Sequence, residues 1–365
     1  MNMMSLNSIL ECSRCSNNSN LDKRLSNLSK TLRLIIEIID CKYVVKDNVV
    51  TFKVKNYSSN QTLIIDPTLI FASYTGSAAS NWGFTATPGP GGTFYAGGIS
   101  FGTGYPVAVG AYQTTYGGGG TSDPNGGYDM AFFKFSADGV FRLFATYVGG
   151  SFDEQPHSMV CDAAGNLIFA GRSNSNNYPG TPPRTGRSDY DIVVSKLSAN
   201  GASLLGSISL GGTNDDGMNI RGKYFNPTGD DDTRRNYGDD ARSEVILDAD
   251  GNIVVASCTQ SLNFPVSVGA FQTTFGGGVA GAMKLPQDGV ILKFNSTLTT
   301  TLFSSFFGGS GNDACFVVAQ DPLTRNYYIG GATTSTNLPG DKSNTINSTY
   351  QGGATDGFVT QINNT

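Results

Sequence analysis

One order of signals recurs four times along the chain, and a period of that size has to be settled before any motif is weighed for chemistry. The clearest copy runs from Arg142 to Lys196. It holds an aromatic strand ending in Tyr147-Val148-Gly149-Gly150, an apolar run, the turn Asp162-Ala163-Ala164-Gly165-Asn166 and a second apolar run. A proline-bearing loop at Tyr178-Pro179 and a last strand opening at Asp191 complete it. Aromatic strands ending in small residues recur at Phe71 to Tyr74, Phe144 to Tyr147, Ser207 to Leu210 and Phe303 to Phe307. The spacing between copies drifts, which places insertions in loops while the strands persist.

Each aromatic strand is followed by an apolar hairpin: Phe84 to Ala86 with Phe94 to Ala96, His157 to Cys161 with Leu167 to Ala170, Glu244 to Leu247 with Ile253 to Ala256, and Phe316 to Ala319 with Tyr327 to Ile329. A third strand then opens at aspartate, over Asp129 to Phe135, Asp191 to Leu197, Asp288 to Phe294 and Asp356 to Ile362, with a lysine near the end of the first three (Lys134, Lys196, Lys293) and Gln361 in the last. Four strands per unit without intervening helices predict an all-β fold, a β-propeller of about four four-stranded antiparallel blades. The last unit lacks its outer strand, and Leu69 to Tyr74 is a spare one. Pairing it beside Asp356 to Ile362 would close a ring and remove two open edges; the alternative is that these are four blades of a longer ring.

Upstream, residues 1–41 read as a Ser/Asn-rich leader and an amphipathic helix, because Leu21, Leu25, Leu28, Leu32, Ile35 and Ile39 recur at three- and four-residue steps. Residues 42–68 hold three β-branched segments, Tyr43 to Val45, Val49 to Val54 and Leu63 to Ile65, ended by Asp66-Pro67. The repeats fill residues 69–365.

Composition narrows the function classes. A net charge of −5 gives no electrostatic footprint for nucleic acid, whose phosphates call for clustered Lys and Arg. No apolar stretch approaches the ~18 residues of a membrane span. Met1 to Ser5 lack the basic start and apolar core of a secretory signal. The six cysteines show no framework spacing, and Cys12-x-x-Cys15 lacks the second pair of a closed zinc site.

The loop between second and third strands carries the most specific signal. Tyr105-Pro106-Val107 followed by Gly110-Ala111-Tyr112-Gln113-Thr114-Thr115-Tyr116-Gly117-Gly118 returns as Phe264-Pro265-Val266 followed by Gly269-Ala270-Phe271-Gln272-Thr273-Thr274-Phe275-Gly276-Gly277. The last copy keeps Leu338-Pro339 and Thr349-Tyr350-Gln351-Gly352-Gly353, and the second keeps Tyr178-Pro179. With the Gly-Gly strand ends and the Asp-x-x-Gly-Asn turns, this resembles the SBBP repeat, the β-propeller repeat of large bacterial cell-surface proteins. Residues from about Lys42 to Pro67 are similar to the close of the domain that often precedes those repeats. The resemblance implies an extracellular or cell-surface protein of the type linked to adhesion, gliding motility and type IX secretion, and it brings no catalytic residues.

Two sets of residues are candidates for a site. The polar pairs after each strand end, Asp153-Glu154, Asp215-Asp216 and Asn312-Asp313, with Ser80-Asn81 in the first copy, would gather near a channel mouth, where Asp153, Glu154, Asp215, Asp216 and Asp313 would hold Ca²⁺. The competing explanation is a turn that ties each loop to its own backbone. The third copy also carries an insertion between Asn214 and Arg242, with Asp230, Asp231, Asp232, Arg234, Arg235, Tyr237, Asp239 and Asp240, and long insertions of this kind are often functional. It is the expected binding site. Asp248-Ala249-Asp250-Gly251 lacks the rest of a calcium loop and reads as a turn. His157, the single histidine, has no nucleophile signature beside it in sequence. The expected function is a non-enzymatic scaffold that binds a glycan or surface protein through its loops, with no cofactor unless Ca²⁺. The alternative is a carbohydrate-active hydrolase or lyase using loop carboxylates.

Overall fold

The computed structural model describes residues 41–46, 49–54, 71–118, 127–186, 189–219, 243–278 and 285–364. The helix expected over Leu21 to Ile39 and the strand at Leu63 to Ile65 lie outside the described residues. Contacts divide the chain into two units, Met1–Ala72 and Ser73–Thr365. In the first, β1 (Cys41–Lys46) and β2 (Val49–Val54) pair antiparallel, with Cys41 opposite Val54 and Lys46 opposite Val49. Both match the β-branched segments read from the sequence.

The second unit is four antiparallel sheets in chain order. The first holds β3 (Asn81–Pro88), β4 (Phe94–Ser100), β5 (Asp129–Phe135) and β6 (Arg142–Val148), and the second β7 (Glu154–Cys161), β8 (Leu167–Ser173), β9 (Asp191–Leu197) and β10 (Leu204–Leu210). In the third are β11 (Glu244–Leu247), β12 (Ile253–Thr259), β13 (Asp288–Phe294) and β14 (Thr301–Phe307). The fourth has three strands, β15 (Asp313–Gln320), β16 (Tyr327–Thr333) and β17 (Asp356–Ile362). Within each sheet, strands neighbour in the order they occur, and the second and third strands are the pair farthest apart in sequence, as Ser100 to Asp129 and Thr259 to Asp288 show. Helix among the described residues is limited to one turn at Pro90–Gly92.

Packing runs along the same order. Strand β3 lies on β7, β7 on β11, and β12 on β15. Because a middle sheet is covered on both faces, its inner strands read as unbroken apolar runs rather than alternating ones. In β8, Leu167 and Phe169 join Tyr95, Phe132 and Phe144 of the first sheet, while Ile168 and Ala170 turn to Val245, Ile253 and Val255 of the third. The third and fourth sheets meet through Val254, Ala256, Ile291 and Phe307 on one side and Val318, Tyr327 and Ile329 on the other.

The lysine near the end of the first three third strands is a tie between sheets. Lys134 Nζ donates to Ala199 O at 3.0 Å, Lys196 Nζ to Ser296 O at 3.1 Å, and Lys293 Nζ to Asn364 Oδ1 at 3.1 Å, each on the following sheet. Lys196 and Lys293 also ion-pair with the aspartates of the Asp-x-x-Gly-Asn turns, Asp162 at 3.0 Å and Asp248 at 3.1 Å. Those aspartates cap their own turns, taking the Asn166 and Asn252 N–H groups. For Asp248, burial pushes the carboxyl up but the Asn252, Lys293 and Tyr327 bonds outweigh it, so it lies below the usual carboxylate range. The turn reading of Asp248 to Gly251 therefore stands, with a lysine tie added.

One loop replaces glycine at a cost. In the turns after β5 and β9, Gly139 and Gly201 take positive φ of 71° and 69°. After β13 the same place is Leu298, at φ 57°. A non-glycine residue there costs of order 1 kcal/mol. Burial of the leucyl side chain against Phe294 and Phe306 offsets this by about 2 kcal/mol.

Two expectations are corrected. The described strands form a row of sheets and no closed ring, and residues 71–75 are not in a strand beside β17, which pairs with β16 alone. A strand needs a partner edge, and this segment leads into β3 at the opposite end of the row.

Candidate functional site

The polar residues concentrate where one sheet hands over to the next, and three such junctions are built to one plan. At the first, Asp129 opens β5 and Glu154 opens β7, both fully buried. The strand end Gly149-Gly150 passes between them. Gly117 N donates to Asp129 Oδ2 at 2.7 Å, and Glu154 accepts from Gly150 N at 3.0 Å and Ser173 Oγ at 2.6 Å. A Cβ on Gly149 would stand 2.5 Å from Asp129 Cγ and 2.7 Å from Glu154 Oε2, so the two carboxyls close over the bare glycine.

The repeated Gln block is the clamp of this arrangement. Gln113 Oε1 accepts from Gly149 N at 3.0 Å, and its Nε2 donates to Thr115 O at 3.0 Å and faces Asp129 Oδ2 at 3.4 Å. The third junction repeats it: Gln272 Oε1 accepts from Gly308 N at 3.0 Å, Gly276 N donates to Asp288 Oδ2 at 2.6 Å, and Gly309 N to Asp313 Oδ2 at 2.8 Å. Thr333 and Ser335 hydroxyls complete Asp313.

The second junction lacks the Gln block, and Arg184 replaces it. Arg184 Nε lies 3.2 Å from Asp191 Oδ2, and Asp216 accepts from Gly212 N at 2.6 Å, Ser261 Oγ at 2.9 Å and the Thr259 hydroxyl. A cation here balances a charge that the other junctions leave to amide and backbone donors.

Burial sets the electrostatics. Loss of water pushes Asp129 up to about 7, opposed by the Gly117 N–H and aided by the Asp153 charge. Glu154 rises to about 8 through burial and then the Asp129 charge, with Ser173 and Ser175 opposing. Burial raises Asp216 to about 7 and Asp288 to about 8, the nearby Asp191 and Asp313 adding to it. Asp313 is raised for the same first reason. Carboxyls with such values hold a proton part of the time near neutrality.

The five acids expected to hold Ca²⁺ are therefore divided among three junctions. Asp153 Oδ1 accepts from Tyr128 N at 3.3 Å and its Oδ2 from Tyr190 OH at 3.2 Å, while Asp215 Oδ1 accepts from Tyr190 N at 3.1 Å. Each ties its loop to the strand start of the sheet before it. Among the described residues no group of three or more His, Cys, Asp or Glu side chains is arranged to hold a metal ion. The expected binding insertion, Asp230 to Asp240, lies outside the described residues.

His157 has a neighbour that the sequence did not suggest. Its Nδ1 is 3.0 Å from Ser243 Oγ, which is 2.7 Å from Ser257 Oγ, so a chain of polar groups bridges β7 to the third sheet. Cys161, Cys258 and Cys315 are free thiols. No helix among the described residues is long and apolar enough to cross a membrane.

Asp129, Asp191 and Asp288 were visible as strand openers but not as members of acid pairs, since each partner is about two dozen residues away. For Asp129 and Asp288 the signal that would have found them is the Gln block, whose amide has no reason to recur unless it holds something.

Residues 36–68, which include β1 and β2, match the family DUF7948, a domain of unknown function. No curated protein matches the chain.

Proposed function

We propose that the four sheets are consecutive blades of a propeller of the SBBP type, and that the protein is a non-catalytic scaffold, outside the cell or on its surface, that holds a glycan or protein ligand on its loops. One observation supports this reading: Glu154, Asp216 and Asp313 are buried and spend their oxygens on backbone N–H and hydroxyl donors. Groups so occupied hold the frame, and ligand chemistry falls to the loops, above all the insertion with Asp230, Asp231, Asp232, Arg234, Arg235, Tyr237, Asp239 and Asp240. Arg and Tyr beside carboxylates suit hydroxyl-rich sugars and polar protein surfaces.

The test is retention on a panel of immobilised polysaccharides, with assay for released reducing ends, for the wild type and for Asp231→Ala and Asp239→Ala. Runs with calcium and with chelator are included because hard oxygen donors suit that ion. Retention lost in the variants, with no reducing ends released, is the expected result. Reducing ends that appear with the wild type and vanish in the variants would establish a carbohydrate-active enzyme instead.

A further inference from the structure

We infer that the chain assembles as a pair, two rows of four sheets joined end to end, with Ser73–Gly76 of each copy added as a fourth strand beside β17 of the other. The inference stands apart from the choice of ligand.

The segment is an outer strand by every local criterion except that it has no sheet. Phe71-Ala72-Ser73-Tyr74-Thr75-Gly76 repeats the type of Phe144-Ala145-Thr146-Tyr147-Val148-Gly149 position for position. Ser73 Oγ donates to Tyr74 O at 3.1 Å, the same local bond that Thr146 makes to Tyr147 O and Ser305 to Phe306 O. Yet Tyr74 is 96% exposed, whereas its counterparts Tyr147 and Phe306 are 2% and 1% exposed. A core side chain stands in water.

The receiving edge is equally specific. In the first and third sheets, Ala131 faces Tyr147 and Val290 faces Phe306, followed by Phe132 with Thr146 and Ile291 with Ser305. Transferred to the fourth sheet, that register sets Phe358 opposite Tyr74 and Val359 opposite Ser73. The clamp is present too. Gln113 and Gln272 give their backbone N–H to the Thr146 and Ser305 hydroxyls, at 3.0 and 3.1 Å, and take the Gly149 and Gly308 N–H on Oε1. Gln351, at the same place in the last copy, is exposed and its amide bonds only within Thr349. Ser73 supplies the hydroxyl it would hold and Gly76 the N–H.

A second copy is the occupant because the ends of the row are continuous with its internal interfaces. Each sheet packs an apolar face on the next, and the two terminal faces keep that character in the open, with Trp82 on β3 at one end and Val317, Tyr328 and Val359 (79% exposed) on the fourth sheet at the other. The segment leads into β3, at the end remote from its own β17, so the edge within reach is a partner's. Two such head-to-tail contacts cover the open edge of β17 in both copies. The new junction also differs in charge: Asn81 stands where Glu154, Asp216 and Asp313 stand, so Asp356 meets an amide and no second buried acid.

The test uses the full chain with Cys12, Cys15 and Cys41 changed to serine. Ser73→Cys and Val359→Cys are made as separate proteins with different tags, both positions being exposed, and mixed under mild oxidation. A covalent dimer carrying both tags is expected, together with a dimer mass for the parent by sedimentation that drops to monomer in Tyr74→Asp. A parent that stays monomeric at all concentrations overturns the inference. So does a double variant that cross-links only within one chain, or a ladder of masses beyond the dimer.

Discussion

Asp288 and Asp313 close over the same glycine from two different sheets. A Cβ on Gly308 would stand 2.5 Å from Asp288 Oδ1 and 2.9 Å from Asp313 Oδ2. Two carboxyls that near, both buried, cannot both carry full charge cheaply, and the rise of Asp288 to about 8 is the result of burial first and of the Asp313 charge after it. The Gly-Gly strand end is thus a steric requirement of an acid pair rather than a turn.

Gly308→Ala and Gly149→Ala should each destabilise by about 2 kcal/mol or more, since the added methyl overlaps carboxyl groups held by several donors. Chemical denaturation measures it. Gly251→Ala is an informative contrast: a Cβ there meets nothing, and only its φ of 79° is strained.

Gln272→Ala removes the acceptor of Gly308 N–H and a donor near Asp288. A loss of about 1–3 kcal/mol is expected, the range for leaving buried partners unmade. Gln351→Ala, studied at high dilution, should change stability by less than about 0.5 kcal/mol, because that side chain bonds only its own loop.

At the second junction Arg184→Ala strands Asp191 among buried groups and should cost about 3 kcal/mol, as removal of one member of a buried ion pair generally does. Arg184→Gln should recover part of this, as it supplies the amide that the other two junctions use. Thermal melting of the three proteins at neutral pH compares them directly.

Much of this frame was legible in the sequence. All four third strands begin at the aspartate read from the repeat, and in three of them, at Asp129, Asp191 and Asp288, that residue is fixed by the glycine it covers. The hairpins about Asp162 and Asp248 were legible for a similar local reason: aspartate, glycine and asparagine each have a bonded role within the turn. What was not legible is long-range. Asp129 and Glu154 meet only when one sheet is laid on the next, and Arg184 sits in the one loop that departs from the repeat, so no comparison between copies exposes it. Phe71 to Tyr74 misled for the opposite reason, since its residues specify a strand and only the neighbouring edge decides whether one forms.

The central claim is that each junction is held by buried acids that keep a proton when ordinary carboxyls have lost theirs, and the pH dependence of unfolding tests it most directly. Asp129, Glu154, Asp216 and Asp288 have folded-state values of about 7 to 8 against about 4 unfolded. The folded chain then binds more protons between those values, so stability falls as pH rises from about 4 to about 8, by up to about 1.4 kcal/mol per pH unit for each such group. Asp162 and Asp248, held low, act below about 4, where stability is lost as pH falls. Melting followed from pH 4 to pH 9 should therefore be highest near pH 4 and decline towards pH 8, with the decline reduced in Glu154→Gln and Asp288→Asn. A melting temperature that climbs between pH 5 and pH 8, or a decline unchanged in both variants, would contradict the account.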